Sequence, residues 1–252
     1  MKYLVSGSKI VKNYTIKDKT QTILKGIDIN IKHGEFVCIM GPSGSGKSTL
    51  LYALSGMDHI DEGSIQFNQL DVTSLSQDSL ADLRREQMGS VFQQPSLLKH
   101  FNLLDNIMLA AMKEKHSKRK VLLTRAQMLM KQVHIDELQD RDITQVSGGQ
   151  LQRAGICRAL MNHPSIIFAD EPTGALNSKT AKDIMNIFSD IHAKGTTILI
   201  VTHDANVAAR SQRILFMSDG RITQELNLPP YLESNHVSRV QKITQQMQTM
   251  DI

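Results

Sequence analysis

The 252-residue chain has no tryptophan, and aromatic residues make up only 4% of it. Surfaces that bind sugars or stack on nucleic-acid bases depend on aromatic side chains, so this composition argues against a lectin or a base-stacking protein. The net charge of +4 is modest, and the densest basic run, residues 113–120, fits a solvated segment better than a nucleic-acid-binding face. We therefore expect no nucleic-acid partner.

Long hydrophobic runs are also missing. The longest apolar stretches, residues 166–169 and 198–201, have the length of buried strands, whereas a membrane-spanning helix needs about 20 residues. The first ten residues, MKYLVSGSKI, contain no apolar stretch of the kind found in a secretory signal. These patterns predict a cytoplasmic chain, with any membrane-spanning part in another protein.

The chain has only two cysteines, Cys38 and Cys157. Neither has a second cysteine or a histidine at metal-ligand spacing. Cys38 lies in an apolar, strand-like run and Cys157 in a helical pattern. We expect both to be small buried hydrophobic residues.

Short apolar runs alternate with helical patterns over most of the chain, which favours an α/β fold with a mainly parallel sheet. The expected strands are residues 35–40, 65–67, 88–92, 166–169, 196–201 and 214–217, and the expected helices of the core are 48–54, 79–87 and 178–193. Between residues 95 and 145 the pattern is helical only, with helices expected at 104–112 and 121–133. The sequence therefore predicts a helical insert within an α/β core.

The end of the chain has a different pattern. Two consecutive prolines at 229 and 230 interrupt regular structure. Apolar residues then recur at helical spacing, namely Val237, Val240, Ile243, Met247 and Met250. They predict a short helix that packs on its own domain; a helix that docks on a partner or stabilises a dimer is the alternative.

A glycine-rich segment follows the first expected strand, residues 35–40. It fits the pattern G-x-x-x-x-G-K-[ST] with the residues Gly41, Pro42, Ser43, Gly44, Ser45, Gly46, Lys47, Ser48 and Thr49. Glycines let the backbone curl so that N–H groups point at phosphate oxygens, and the positive end of the following helix adds to the attraction. Lys47 is predicted to reach the β- and γ-phosphates, and the Ser48 hydroxyl to bind Mg²⁺. A GTPase, a kinase and a helicase all remain open at this point.

Two acids, Asp170 and Glu171, follow the apolar run 166–169. Ligands in parallel sheets bind beyond the carboxyl ends of the strands, where these acids are expected. Adjacent residues of a strand point to opposite faces, so we expect two roles. Asp170 is predicted to hold Mg²⁺, and Glu171 to polarise the water that attacks the γ-phosphate.

A second glycine-containing motif decides between the nucleotide-binding families. The residues are Ser147, Gly148, Gly149 and Gln150. They lie before a helical run, and Asp170 follows Gln150 by 20 residues. This arrangement resembles the signature motif of ABC (ATP-binding cassette) ATPases, and the resemblance extends to about residue 225. It implies a P-loop NTPase core with a mainly parallel sheet, an N-terminal antiparallel β part and a helical subdomain. The implied division is 1–94 and 156–226 for the core, 95–155 for the subdomain and 227–252 for a tail.

Other positions match the family in the same order, and their roles are implied by the resemblance. Tyr14 resembles the aromatic residue that stacks on the adenine of ATP. Gln93 resembles the glutamine that contacts the metal and the attacking water, and His203 the histidine that contacts the γ-phosphate. With Glu171 and Lys47, these two residues make up the expected catalytic set.

The resemblance also implies a dimer. In this family a second subunit supplies the signature motif, as a second anion site at a helix start, so two ATP molecules are buried between two chains. We expect that second ABC subunit to form a homodimer. Residues 173–177 resemble the loop that crosses between the subunits, but many members have Asp where this chain has Asn177. The substitution puts in doubt the strength of coupling between the subunits.

Residues 93–107 and 173–178 resemble one subgroup, whose members serve macrolide export, lipoprotein release and resistance to peptide antibiotics. The resemblance implies an ATP-hydrolysing subunit that powers a separate membrane permease and is held by it at the inner face of the cell membrane. The apolar residues Leu97, Leu98 and Phe101 flank the expected glutamine loop, and they either form a groove for a permease helix or fill the space between core and insert. An ABC ATPase that acts without transport, with a soluble or cell-division partner, is the alternative function.

Overall fold

A computed structural model describes residues 2–17, 19–112 and 119–250, so most of the basic run at 113–120 lies outside the described residues. The strands are β1 (Tyr3–Ile16), β2 (Lys19–Lys32), β3 (Phe36–Met40), β4 (Glu62–Phe67), β5 (Leu70–Asp71), β6 (Met88–Phe92), β7 (Ile166–Asp170), β8 (Thr197–Val201), β9 (Arg213–Ser218) and β10 (Arg221–Asn227). The helices are α1 (Lys47–Leu54), α2 (Gln77–Gln87), α3 (Leu103–Leu109), α4 (Arg119–Gln132), α5 (Gly148–Leu160), α6 (Ser178–Ala193), α7 (Ala205–Ala208) and α8 (His236–Gln248). Over these described segments, no helix combines the length and the hydrophobicity that crossing a membrane requires.

The larger sheet has six strands in the order β10-β9-β3-β8-β7-β6. All its pairs are parallel except that of β10 with β9. Strands β3 and β8 are short apolar runs in which every residue is buried, as expected for parallel strands covered on both faces. The predicted mainly parallel sheet is confirmed. Because β3, β7 and β8 are neighbours, the loops that follow them meet at one edge of the sheet.

The smaller sheet is antiparallel, with the order β2-β1-β4-β5. Strands β1 and β2 form a long hairpin in which Tyr14 pairs with Gln21 near the turn. The inward-facing residues of the hairpin, such as Leu24 and Ile27, join one buried cluster with α1 and one face of the larger sheet. This confirms the predicted antiparallel β part and places Tyr14 on the same side of the core as α1.

Helices α3, α4 and α5 form the helical part, with a buried cluster of their own. Helix α5 also contacts β6, so it joins this part to the sheet. The predicted boundary at 155/156 lies inside α5, and the division of the chain stays a prediction. Of the three apolar residues left open by the sequence, Leu97 is buried in the helical cluster, whereas Leu98 and Phe101 are 47% and 40% exposed.

The tail forms α8, whose inner side packs Val240, Ile243 and Met247 on the second face of the larger sheet. The prediction is wrong for Val237, which is 67% exposed. Arg239 is only 2% exposed instead, and its Nε donates to the Ala209 carbonyl at 2.6 Å. A carbonyl just past the end of a helix is an unsatisfied acceptor. The buried guanidinium forms a hydrogen bond there, which an aliphatic side chain could not form.

Cys38 and Cys157 are both buried and form no disulfide. Cys38 lies within β3, and Cys157 lies in α5 against the helical cluster. Burial raises the pKa of Cys157 to about 12 and that of Cys38 well above its ordinary value. Both thiols therefore stay protonated at neutral pH, as expected for small hydrophobic residues.

Candidate nucleotide-binding site

The glycine-rich loop after β3 borders a cavity of about 630 Å³. Loop and helix residues 43, 44 and 46–49 form one wall. Tyr14 and Ile23 come from the β1–β2 hairpin, and Glu171 and His203 follow β7 and β8. Residues that are far apart in the sequence therefore line one cavity, because the three neighbouring strands end at the same edge of the sheet.

The loop favours glycine at two positions, 41 and 46, for different reasons. A Cβ at Gly41 would lie 2.1 Å from the Met217 carbonyl oxygen of β9, so no larger residue fits without moving that strand. Gly46 is the N-cap of α1 with φ +97°, a left-handed conformation that favours glycine. It offers no side chain to cap the helix, so the first N–H groups of α1 face the loop.

Lys47 is the first residue of α1 and is only 9% exposed. Its Nζ donates to the Pro42 carbonyl at 2.8 Å, across the base of the loop. Burial lowers the pKa of Lys47, and the nearby carboxylates Glu171 and Asp170 act in the opposite direction. The ammonium therefore lies inside the loop. Close by, the buried Ser45 hydroxyl has no hydrogen-bond partner.

Ser48 and Asp170 meet below the loop although they are far apart in the sequence. The Ser48 hydroxyl donates to Asp170 Oδ1 at 2.8 Å. The second oxygen, Oδ2, accepts from the Tyr52 hydroxyl at 2.6 Å. Tyr52 was not predicted; it lies one helical turn after Ser48 on α1, and that spacing is the only signal the sequence carries. Burial, followed by the hydrogen bond to Asp170, raises the pKa of Tyr52, so it stays a donor.

The donor set fits Mg²⁺. A hydroxyl and a carboxylate oxygen are the hard ligands that this ion prefers, and Mg²⁺ bound with phosphates takes only one or two protein carboxylates. Ser48 and Asp170 are therefore suited to a metal that arrives with a phosphate ligand.

Glu171 does not continue the strand, which ends at Asp170. The expectation that the two acids alternate as strand neighbours is therefore wrong: Glu171 has φ +43°, and this left-handed backbone turns its side chain toward the cavity. Its Oε1 lies 2.7 Å from Nδ1 of His203, and its Oε2 accepts from the Thr202 hydroxyl at 3.1 Å. Thr202, which is fully buried, was also missed by the sequence analysis.

The remaining predicted residues lie outside this cavity. A Cβ at Gly174 would lie 2.9 Å from the Gln93 amide nitrogen, so Gln93 rests against the loop after β7. Ser147 is the N-cap of α5 and forms a reciprocal capping box with Gln150. Gly149 packs closely on α6, where a Cβ would lie 2.5 Å from the Thr180 methyl carbon. The four-residue motif therefore faces α6 and is separated from the nucleotide cavity of its own chain.

Asn177 is the N-cap of α6. Its side-chain oxygen accepts from the Thr180 N–H at 2.9 Å. A carboxylate of Asp can accept the same bond, and Asn and Asp are equally good N-caps. The departure from the family pattern thus removes a charge and keeps the local structure.

Comparisons with known proteins agree with this geometry. The sequence model described as "ABC transporter" matches residues 24–174. The macrolide export ATP-binding/permease protein MacB of Pasteurella multocida is 38% identical over 98% of this chain, which spans only 37% of that protein. The bacitracin export ATP-binding protein BceA of Halalkalibacterium halodurans is 40% identical over 89% of this chain and 88% of its own length.

Solved structures give the same result. The dimeric ATP-binding cassette MJ0796, in a post-hydrolysis state bound to ADP and Pi, superimposes with a TM-score of 0.83 at 37% identity. The match covers 90% of this chain and all of that one. The predicted P-loop NTPase fold and ATPase chemistry are therefore confirmed, and the chain belongs to the ABC transporter family.

Proposed function

We propose that this chain binds ATP with Mg²⁺ at the loop between β3 and α1, hydrolyses it within a dimer and thereby drives a separate export permease. The observation that carries the proposal is the convergence of three groups on one site. They are the buried ammonium of Lys47, the Ser48–Asp170 oxygen pair and the carboxylate of Glu171. Together they supply a phosphate contact, a metal contact and a base.

The start of α1 binds and orients the phosphates. Its first N–H groups are uncapped and carry the positive end of the helix dipole. The Lys47 ammonium leaves the Pro42 carbonyl and contacts the β- and γ-phosphates. Ser48 and Asp170 would hold Mg²⁺, which would supply positive charge to offset the charge that develops on the phosphate oxygens. Tyr52 holds Asp170 so that one carboxylate oxygen stays directed at Ser48.

Glu171 acts as the general base and accepts the proton of the attacking water. The hydroxyl of Thr202 fixes one carboxylate oxygen, and Nδ1 of His203 lies beside the other. His203 is 70% exposed, so its ring can turn toward a γ-phosphate once its contact with Glu171 breaks. Gln93, which rests against the loop at Gly174, would contact the metal and the attacking water and would connect this site to the helical part.

A second subunit, expected as a homodimer, supplies Ser147, Gly148, Gly149 and Gln150 to the γ-phosphate. Two properties support this: in one chain the motif is separated from the cavity, and the related cassette MJ0796 is dimeric. Loss of the γ-phosphate removes contacts made only in the closed dimer, so hydrolysis shifts the population toward the open state.

The export role follows from the relatives. MacB and BceA are named for macrolide and bacitracin export, and we propose a cargo of antimicrobial peptides or similar amphipathic compounds. The exposed Leu98 and Phe101 would bind a helix of the permease, while Leu97 supports them from the helical cluster. This contact holds the chain at the inner face of the cell membrane. Within the described part of the chain, no specific feature favours a non-transport role.

The first test is Glu171→Gln, with the exposed Glu137→Gln as matched control. Loss of the base is expected to lower ATP turnover by about 10²- to 10⁴-fold and to trap an ATP-bound dimer, measured by phosphate release and size-exclusion chromatography. Turnover at the wild-type rate would remove Glu171 from the mechanism.

The second test addresses transport. The trapped Glu171→Gln dimer, purified from detergent-solubilised native membranes, should bring a polytopic membrane protein with it. The substitutions Leu98→Ala and Phe101→Ala together should abolish that association and leave ATP binding intact. Only soluble partners would overturn the permease proposal. Cells that carry Glu171→Gln should become sensitive to bacitracin more than to a macrolide.

A further inference from the structure

A buried lysine lies two residues before Tyr14. Lys12 is only 2% exposed, and its Nζ forms an ion pair with Asp58 Oδ1 at 2.8 Å. The same ammonium donates to the His59 carbonyl at 2.7 Å. A charged side chain is costly to bury unless it is paired, so this arrangement requires Asp58 to remain ionised.

The other oxygen of Asp58 accepts a hydrogen bond from the Tyr14 hydroxyl at 2.6 Å. The Lys12 ammonium also lies 5.0 Å from the centre of the Tyr14 ring. Tyr14 remains 39% exposed and lines the nucleotide cavity. The phenol is therefore held at its polar end while part of the ring stays accessible.

Asp58 is in turn connected to the phosphate-binding helix. Its backbone N–H donates to the Tyr52 carbonyl of α1 at 3.1 Å, as does that of Met57 at 2.8 Å. Tyr14 lies on β1 and lines the same cavity as the start of that helix. The contact between Tyr14 and Asp58 thus fixes the ring relative to the helix that begins at Lys47.

We propose that Lys12 and Asp58 are positioning residues that hold the Tyr14 ring for the nucleotide base, and that they set the affinity for ATP relative to a triphosphate without a base. This inference rests on the proposed contact of Tyr14 with adenine. A tyrosine on a strand samples several rotamers when its hydroxyl is free, and binding must then order it. A ring that is already ordered binds without that cost.

The charges around Asp58 support the assignment. Burial favours its neutral form, but the hydrogen bonds from Lys12 and Tyr14 prevail and hold the pKa of Asp58 below its ordinary value. Burial, followed by the hydrogen bond to Asp58, raises the pKa of Tyr14. The exposed His59 lies 3.4 Å from the same carboxylate, and Asp61 accepts from the Asn13 backbone nearby. Near neutral pH the phenol is a donor and the carboxylate an acceptor.

The test measures binding of ATP and of inorganic tripolyphosphate to the full chain by isothermal titration calorimetry. Tyr14→Phe keeps the ring and removes its anchor, and Asp58→Asn weakens the same bond from the other side. Each is expected to weaken ATP binding about three- to tenfold, the effect of ordering one side chain, and to leave tripolyphosphate binding unchanged. The double variant should lose no more ATP affinity than the weaker-binding of the two single variants, because both substitutions act on the same hydrogen bond.

Tyr231→Phe is the matched control. Its hydroxyl also donates to a carboxylate, Glu233, at 2.7 Å, but it lies outside the residues that line the cavity. Asp58→Asn leaves the Lys12 charge buried without its partner, so its melting temperature is measured in parallel. If that variant unfolds, Tyr14→Phe decides alone.

The outcomes separate this inference from the proposed site. If Tyr14→Ala leaves ATP affinity unchanged relative to tripolyphosphate, the proposed adenine contact fails. If Tyr14→Ala weakens ATP binding but Tyr14→Phe does not, the adenine contact stands and the positioning role is overturned. Equal losses for ATP and tripolyphosphate would also overturn it, because they would indicate damage to the phosphate loop.

Discussion

Helices α1 and α5 both begin in glycine-containing motifs, yet their first turns differ. The N-cap of α1 is Gly46, in a left-handed conformation and without a side-chain cap. The N-cap of α5 is Ser147, in an extended conformation, and its N–H and hydroxyl exchange hydrogen bonds with Gln150. The two motifs share an attraction for anions, but only α5 satisfies part of its start with its own side chains.

This difference indicates that the starts of α1 and α5 have different roles. At α1 the open N–H groups and the buried Lys47 ammonium have most to gain from a ligand, because few partners of the same chain satisfy them. At α5 the capping box maintains the first turn before any nucleotide arrives. In the proposed dimer, where α5 would meet a nucleotide held by the other subunit, such preformed structure would leave less to be ordered when the dimer closes.

The largest effect expected from this comparison is the loss of ATP affinity when Lys47 is substituted. Lys47→Ala removes the charged group inside the loop of α1, which has no counterpart at α5. We expect ATP affinity to fall roughly tenfold to a hundredfold, the range for one charged hydrogen bond, measured by titration calorimetry. Lys131→Ala, an exposed lysine in the last turn of α4, is the control. Unchanged affinity in Lys47→Ala would contradict the comparison.

The second prediction concerns Gly149 of α5. Gly149→Ala places a methyl group 2.5 Å from the Thr180 methyl carbon, so α5 must shift on α6. We expect ATP binding to one chain to persist and ATP-driven dimerisation to weaken about tenfold, or ~1.4 kcal/mol, measured by analytical ultracentrifugation. Thr180→Ser removes that methyl group and should restore dimerisation in the double variant; failure to restore it would exclude the steric explanation.

The smallest effects concern the caps. Ser147→Ala removes the side-chain cap of α5 and should lower the free energy of unfolding by about 1 kcal/mol, measured by denaturant titration. No such loss would mean that the capping box does not stabilise α5. For comparison, Asn177→Asp retains the cap of α6 and should change stability by only a few tenths of a kcal/mol.

The sequence was sufficient for features that depend on local pattern. The apolar runs of β3, β7 and β8 predicted buried parallel strands, and the glycine-rich loop between β3 and α1 was evident from its spacing. The predicted ends of these elements were within three residues of the observed ones where the run was uniformly apolar. Local pattern also predicted α8, although Val237 is exposed and the unpredicted Arg239 is buried.

Contacts between distant residues could not be predicted in this way. Tyr52 reaches Asp170 across 118 positions of sequence, and Lys12 reaches Asp58 across 46. Each side chain alone is unremarkable, since its role depends on which strand lies beside which. Similarly, the left-handed backbone of Glu171 is not indicated by its residue type, because such a conformation is uncommon outside glycine, asparagine and aspartate. The functions of the individual site residues stay predictions until the variants are measured.

The contact between Gly41 and β9 has a consequence for how this loop tolerates mutation. Because the Met217 carbonyl occupies the space of any side chain at position 41, a saturation library screened only for protein abundance should retain glycine there as strictly as apolar residues are retained in the core. Ser43, which is exposed in the same loop, should accept many residues in that screen. The fold therefore requires glycine at position 41 independently of nucleotide binding, and we expect that residue to be kept even in a descendant that no longer used nucleotide.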